Sequence, residues 1–156
     1  MKVTIVDRKP ASVAYLRHIG PYGKEISDFW MEKVDPWMRT NNLYGRPRYG
    51  ISLDDPGVTA PEKLRYDAAV EVPSDFAGAG DHQKTVIPGG RYAVGRFKGN
   101  DRDVAEAWEW LIRDWLPSSG MQLDSRPMFE HYPVDAGYDG ATGEFECEIC
   151  IPVAPL

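Results

Sequence analysis

The chain repeats itself, and the repeat limits what it can fold into. "VAYLRHIG" at 13–20 lies over "YAVGRFKG" at 92–99 at an offset of 79, matching Ala14 with Ala93, Arg17 with Arg96 and Gly20 with Gly99. Trp30 and Trp37 stand seven apart, as do Trp108 and Trp115, at an offset of 78. "RPR" at 46–48 and "RPM" at 126–128 follow at an offset of 80, each leading into an aromatic, Tyr49 or Phe129. "YDAAVEVP" at 66–73 overlays "FECEICIP" at 145–152, again at 79. Landmarks in one order at nearly one offset imply a tandem duplication. Repeat one covers about 1–75 and repeat two about 82–156, within a single domain spanning 1–156, with "PSDFAGAGDHQKTV" as the joint.

Each repeat reads β-α-β-β. Runs at 3–6 with 11–19, and at 84–87 with 91–98, have strand character. A helical stripe follows: Ile26, Phe29, Trp30, Val34 and Trp37 in the first repeat, Val104, Trp108, Leu111, Ile112 and Trp115 in the second. Pro36 is expected to limit the first helix and Pro117 to end the second. Strands at 47–53 and 65–72, then at 127–133 and 144–151, complete the units. The fold class expected is α+β with pseudo-twofold symmetry: an antiparallel sheet, helices on one face and a ligand groove on the other.

With 156 residues, 42% apolar and 12% aromatic, the chain can bury a core without help from metal or disulfides. Cys147 and Cys150 sit three apart in one strand-like run and so face opposite sides, which argues against a bridge or a zinc clamp. A net charge of −6 argues against a phosphate-tracking basic surface, so direct nucleic-acid binding is not expected. No apolar run approaches membrane-spanning length and "MKVTIVDRKP" lacks a signal-peptide core, so the cytoplasm is the expected location and no membrane partner is expected. His18, His82 and His131 show no metal-ligand spacing, phosphate-loop patterns are absent, and no nucleophilic triad is placed by a local motif. No metal and no cofactor are therefore expected.

Strand parity then nominates a surface. Phe145, Cys147, Ile149 and Ile151 form an apolar face suited to lie under the helices, with His18 and His131 assigned to the same side. The helix-free side is expected to carry Tyr15, Met128, Glu130, Tyr132, Glu146 and Glu148, and Trp110, two positions off the core stripe, can reach a groove edge. A carboxylate among aromatic rings suits an organic cation, since ring faces and counter-charge both attract it. Burial would also raise the pKa of such a carboxylate, which makes it a possible general acid or base.

The motifs "VAYLRHIGPY", "GISLDDP", "EKLRYDAAVEVP", "GGRYAVGRFKG", "FEHY" and "EFECEICIPV" together resemble the GyrI-like small-molecule-binding superfamily over essentially the whole chain. This bacterial superfamily includes the DNA gyrase inhibitory protein and the effector-binding domains of AraC-type and multidrug-sensing activators. The resemblance implies a duplicated β-α-β-β fold with a groove between the halves. It also implies a groove glutamate that meets cationic or aromatic ligands, carried here onto Glu130 of "FEHY", with Tyr132 beside it and Glu148 as second candidate. No helix-turn-helix segment is present, so the expectation is a stand-alone binder of hydrophobic or cationic organic compounds, binding rather than catalysing. The alternatives that the resemblance implies are a protein inhibitor of DNA gyrase, with gyrase as partner, and a hydrolase of cyclopropane-type electrophiles in which Glu130 or Glu148 activates water.

Overall fold

A computed structural model describes residues 1–156 and divides them into two compact units, Met1–Pro10 with Pro88–Leu156, and Ala11–Ile87. The strands in chain order are β1 (Val3–Arg8), β2 (Ala11–Ile19), β3 (Arg48–Ser52), β4 (Arg65–Glu71), β5 (Gln83–Ile87), β6 (Gly90–Gly99), β7 (Met121–Leu123), β8 (Phe129–Tyr132), β9 (Tyr138–Asp139) and β10 (Glu144–Pro155). The α-helical segments are α1 (Lys24–Phe29), α2 (Asp35–Thr40), α3 (Asp101–Trp110) and α4 (Leu116–Ser118). The class is α+β with antiparallel sheets, as the sequence led us to expect.

Within Ala11–Ile87 the strands run in the order β3-β4-β2-β5, all antiparallel. Within the other unit the order is β1-β6-β10-β8, with β7 and β9 also pairing with β10. Each unit thus has at its centre the succession strand, helix, strand, strand (β2, β3, β4 and β6, β8, β10) plus one further long-range strand, and the second unit adds the short β7 and β9. That further strand is borrowed: β1 precedes β2 in the chain yet pairs with β6, while β5 precedes β6 yet pairs with β2. The chain passes between units at Pro10–Ala11 and at Ile87–Pro88.

Pro36 does not end the first helix. A π-helical turn at Trp30–Val34 joins α1 to α2, and the helical path continues to Thr40. The second unit repeats the device with a π-turn at Leu111–Trp115 between α3 and α4, the latter carrying Pro117. A proline inside an α-helix removes one N–H and pushes against the carbonyl a turn earlier; a wider turn before it absorbs both problems. The start of α3 is well specified. Asn100 Oδ1 accepts from the Arg102 and Asp103 backbone N–H groups, and Asp103 accepts from the Asn100 N–H, a reciprocal cap.

Each helix covers one face of its own sheet. Beneath α1 and α2 lie Ala14, Tyr66, Ala68 and Val70, with Val34, Trp37 and Met38 coming down from the helix. Beneath α3 lie Ala93, Phe97, Cys147, Ile149 and Ile151, with Leu111 from above and Trp108 and Trp115 packed partly in. The opposite faces are not bare. One holds Val13 and Tyr49; the other holds Tyr92 against Phe129, ring centroids 5.4 Å apart, with the Arg8 guanidinium 5.5 Å from the Phe129 ring centre.

Candidate functional site

In antiparallel pairing, directly opposed residues share a face. Glu130 stands opposite Ile149, and Phe129 opposite Cys150. Glu130 therefore belongs with Cys147, Ile149 and Ile151 under α3, together with Met128 and Tyr132. This corrects the face assigned from sequence, where the alternation within "RPMFEHY" was read properly and its phase was not. His131 is reversed with it. It lies on the helix-free side, where its Nδ1 is 2.7 Å from Glu148 Oε1.

The Glu130 carboxylate is held at both oxygens. Trp108 Nε1–H donates to Oε2 at 2.9 Å, and the Tyr132 hydroxyl donates to Oε1 at 2.7 Å. Phe145 stacks obliquely near Tyr132, ring centroids 6.2 Å apart, and Phe97 lies 5.5 Å from Phe145, so an aromatic wall runs beside the acid. No Lys, Arg or His forms a salt bridge with Glu130. Burial raises its pKa above the ordinary carboxylate range; the Tyr132 and Trp108 hydrogen bonds oppose that shift, and the like charge of Asp101 adds to it. Two neutral donors orient the group without cancelling its charge, which leaves an electrostatic demand that an incoming cation can meet.

Glu148, the second candidate, is in the opposite situation. His131 and Arg8, the latter at 3.7 Å, pair with it on the helix-free face. The His131 hydrogen bond is the largest influence holding its pKa below the usual value, against a smaller desolvation effect. Glu146 shares that face by parity and stands opposite Lys98. Tyr15 lies in the other unit, its hydroxyl donating to Gln83 at 3.0 Å, with Arg17 5.8 Å from its ring centre. Trp110 is on the exposed side of α3. Of the seven nominated residues the structure brings together Glu130, Tyr132 and Met128, sets Glu146 and Glu148 on the other face of that sheet and Trp110 on the exposed side of α3, while Tyr15 belongs to the other unit.

Trp108 joins the candidate site although the sequence places it only in a core stripe. Its packing is indeed in the core, yet its indole N–H is aimed at the acid. The signal was available: one polar residue in the strand opposite a helix tryptophan needs a donor when buried.

The equivalent place in Ala11–Ile87 is built differently. Arg48 stands opposite Val70 as Glu130 stands opposite Ile149, and Val70 and Ile149 are matched by the repeat offset of 79. The Arg48 guanidinium lies 5.6 Å from the Trp30 ring centre, and Trp30 Nε1–H donates at 3.0 Å to the Tyr66 hydroxyl. Gly50 makes room for that hydroxyl, because a Cβ there would overlap it. The two repeats thus offer opposite charges at one register position.

A family model described as the GyrI-like small molecule binding domain matches residues 1–154. The chain belongs to the GyrI-like family. Among curated relatives of this GyrI-like chain is a "DNA gyrase inhibitor" of Erwinia billingiae (strain Eb661), 30% identical over 157 residues, covering 99% of this chain and 98% of the relative. Solved structures of similar fold include the EcmrR C-terminal domain, with a TM-score of 0.77 at 17% identity over 99% of this chain and 98% of that one. SAV2435 bound to tetraphenylphosphonium matches with a TM-score of 0.60 at 16% identity, covering 99% and 94%. The GyrI-like chain is a small-molecule-binding domain, and none of its helices is long and apolar enough to cross a membrane.

Proposed function

We propose that this domain binds hydrophobic organic cations beneath α3, with Glu130 as counter-charge, Trp108 and Tyr132 as its orienting donors, and Met128 and Phe145 as apolar contacts. The observation that carries this reading is the Glu130 carboxylate, desolvated and held by neutral donors with no cationic partner of its own. A soft cation with its charge spread over aromatic groups loses little hydration on entry, and the rings beside the acid attract it further. A fold neighbour bound to tetraphenylphosphonium supplies the probe. Calorimetric titration of tetraphenylphosphonium is expected to give binding to the wild type that is weakened roughly tenfold or more in Glu130→Gln. Neutral triphenylphosphine oxide is expected to bind both forms alike. Equal affinity of the cation for both forms would remove the charge role.

Binding is the first reading because Glu130 has no cationic partner of its own, whereas Glu148 is engaged by His131 and Arg8. A second reading, modulation of DNA gyrase, is favoured by the full-length match to relatives bearing that name. A supercoiling assay with purified gyrase decides it; unchanged supercoiling at several-fold excess of this protein removes it.

A further inference from the structure

A hollow lies within Ala11–Ile87, the unit that does not contain Glu130. It measures about 680 Å³ and is lined by the end of β2, by the helix side chains Phe29, Lys33, Pro36 and Trp37, and by a strap at 79–81. That volume is in the range of small-molecule sites. Volume alone does not make a site; the ring nitrogens around it add the missing chemistry. Trp37 is 8% exposed, and its Nε1 is buried without a hydrogen-bond partner. His18 Nε2 and His82 Nδ1 are buried unpartnered as well. The His82 ring lies 5.6 Å from that of Trp37, and the His18 ring 5.2 Å from that of Phe29. Buried polar groups are rarely left unpaired in a finished core, so Trp37 and His18 on the wall of one hollow, with the His82 ring beside Trp37, call for an explanation.

The indole N–H can only donate, so whatever satisfies it must accept. The charges on the wall agree. Arg17 is committed to Asp67 through two hydrogen bonds of 2.7 and 3.0 Å, whereas Lys33 is exposed and in no salt bridge. The strap meets the indole at a glycine. Gly80, at φ +105°, lies against the Trp37 edge, where a Cβ would come 3.0 Å from Cδ1, and Gly78 is also at positive φ. Asn41 pins the strap from the helix end, accepting from the Ala79 N–H at 2.6 Å and donating to the Ala79 carbonyl at 2.9 Å. A ligand that eases Gly80 aside reaches the indole N–H while the Ala79 anchor holds.

We propose that this hollow is a second ligand site, independent of Glu130, that takes a flat aromatic monocarboxylate: the ring against Phe29 and Trp37, the carboxylate between the Trp37 N–H and the Lys33 ammonium. The probe is 2-naphthoate, followed by ¹⁵N–¹H spectra of the five tryptophan indoles. Saturable movement of the Trp37 signal is expected, with Trp108 unmoved. Lys33→Gln is expected to weaken binding roughly twofold to fivefold, as for an exposed charge pair. Asp81→Asn, which removes the one acid on the wall, should not weaken it. Trp37→Phe keeps a ring but no donor and should lose saturable binding; should it fail to fold, the Lys33 and Asp81 variants still decide. A Trp37 signal that stays fixed up to millimolar naphthoate overturns the proposal, as does movement of Trp108 alone. Tetraphenylphosphonium in the same spectra reads at Trp108, so the two sites succeed or fail separately.

Discussion

Glu130 and Glu148 are two carboxylates of one small sheet with opposite fates, and the difference follows from what each touches. Glu130 meets an indole N–H and a phenol, so burial dominates and its pKa is raised. A raised carboxylate pKa means the folded state holds its proton more tightly than the unfolded chain. Its stability contribution is therefore fullest below the unfolded value of about 4.3 and is lost as pH rises through the folded pKa. Glu130→Gln, measured by thermal melts without ligand, is expected to raise Tm at neutral pH and to leave it little changed in acid. Cation affinity of the wild type should fall on acidification at a higher pH than an ordinary carboxylate would give. For Glu148 the sign is reversed. His131 and Arg8 hold its pKa down, so its contribution is present above the unfolded value and fades as pH drops through the folded one. Glu148→Gln is expected to cost about 1 kcal/mol in urea unfolding at neutral pH, and less in acid.

At the scale of elements, the repeat specified the helices and strands but not the phase of every strand. β10 was legible because four apolar residues alternate cleanly with acids. β8 was not, because "FEHY" places an aromatic on each face and its polar residues on both, so hydrophobicity does not choose between phases. Only the pairing of Glu130 with Ile149 resolves it. The π-turns were equally hidden: proline usually ends a helix, and nothing local announces the wider turn that lets the helix continue. Gly50 and Tyr66 give the element-level test. Gly50→Ala pushes a methyl into the Tyr66 hydroxyl and is expected to destabilise by about 1–3 kcal/mol. Tyr66→Phe removes the acceptor of Trp30 Nε1–H and should cost about 1–2 kcal/mol. Combined, they should cost clearly less than their sum, since the second change removes the atom with which the first collides.

For the whole molecule, the boundary between units is not the boundary between repeats. A fragment covering 1–78 contains the whole of repeat one but lacks β5, and it carries β1 with no β6 to pair with. A fragment covering 11–87 holds β2 to β5 with both helical segments above them. Circular dichroism melts are expected to show a cooperative transition for 11–87 and a broad, weak one for 1–78. The reverse result would make the repeat, and not the exchanged unit, the folding entity.

That exchange also sets a timetable for the nascent chain. The polypeptide leaves the ribosome with β1 first, but its hydrogen-bonding partner β6 is made more than eighty residues later. Until Gly90–Gly99 has emerged, Val3, Ile5 and the amide groups beside them have no strand to join, and β2 likewise keeps one edge open until Gln83–Ile87 arrives. Neither sheet can close before synthesis has passed the midpoint: the first has its last strand once Ile87 is made, while the other waits for β10, Glu144–Pro155, more than fifty residues further on.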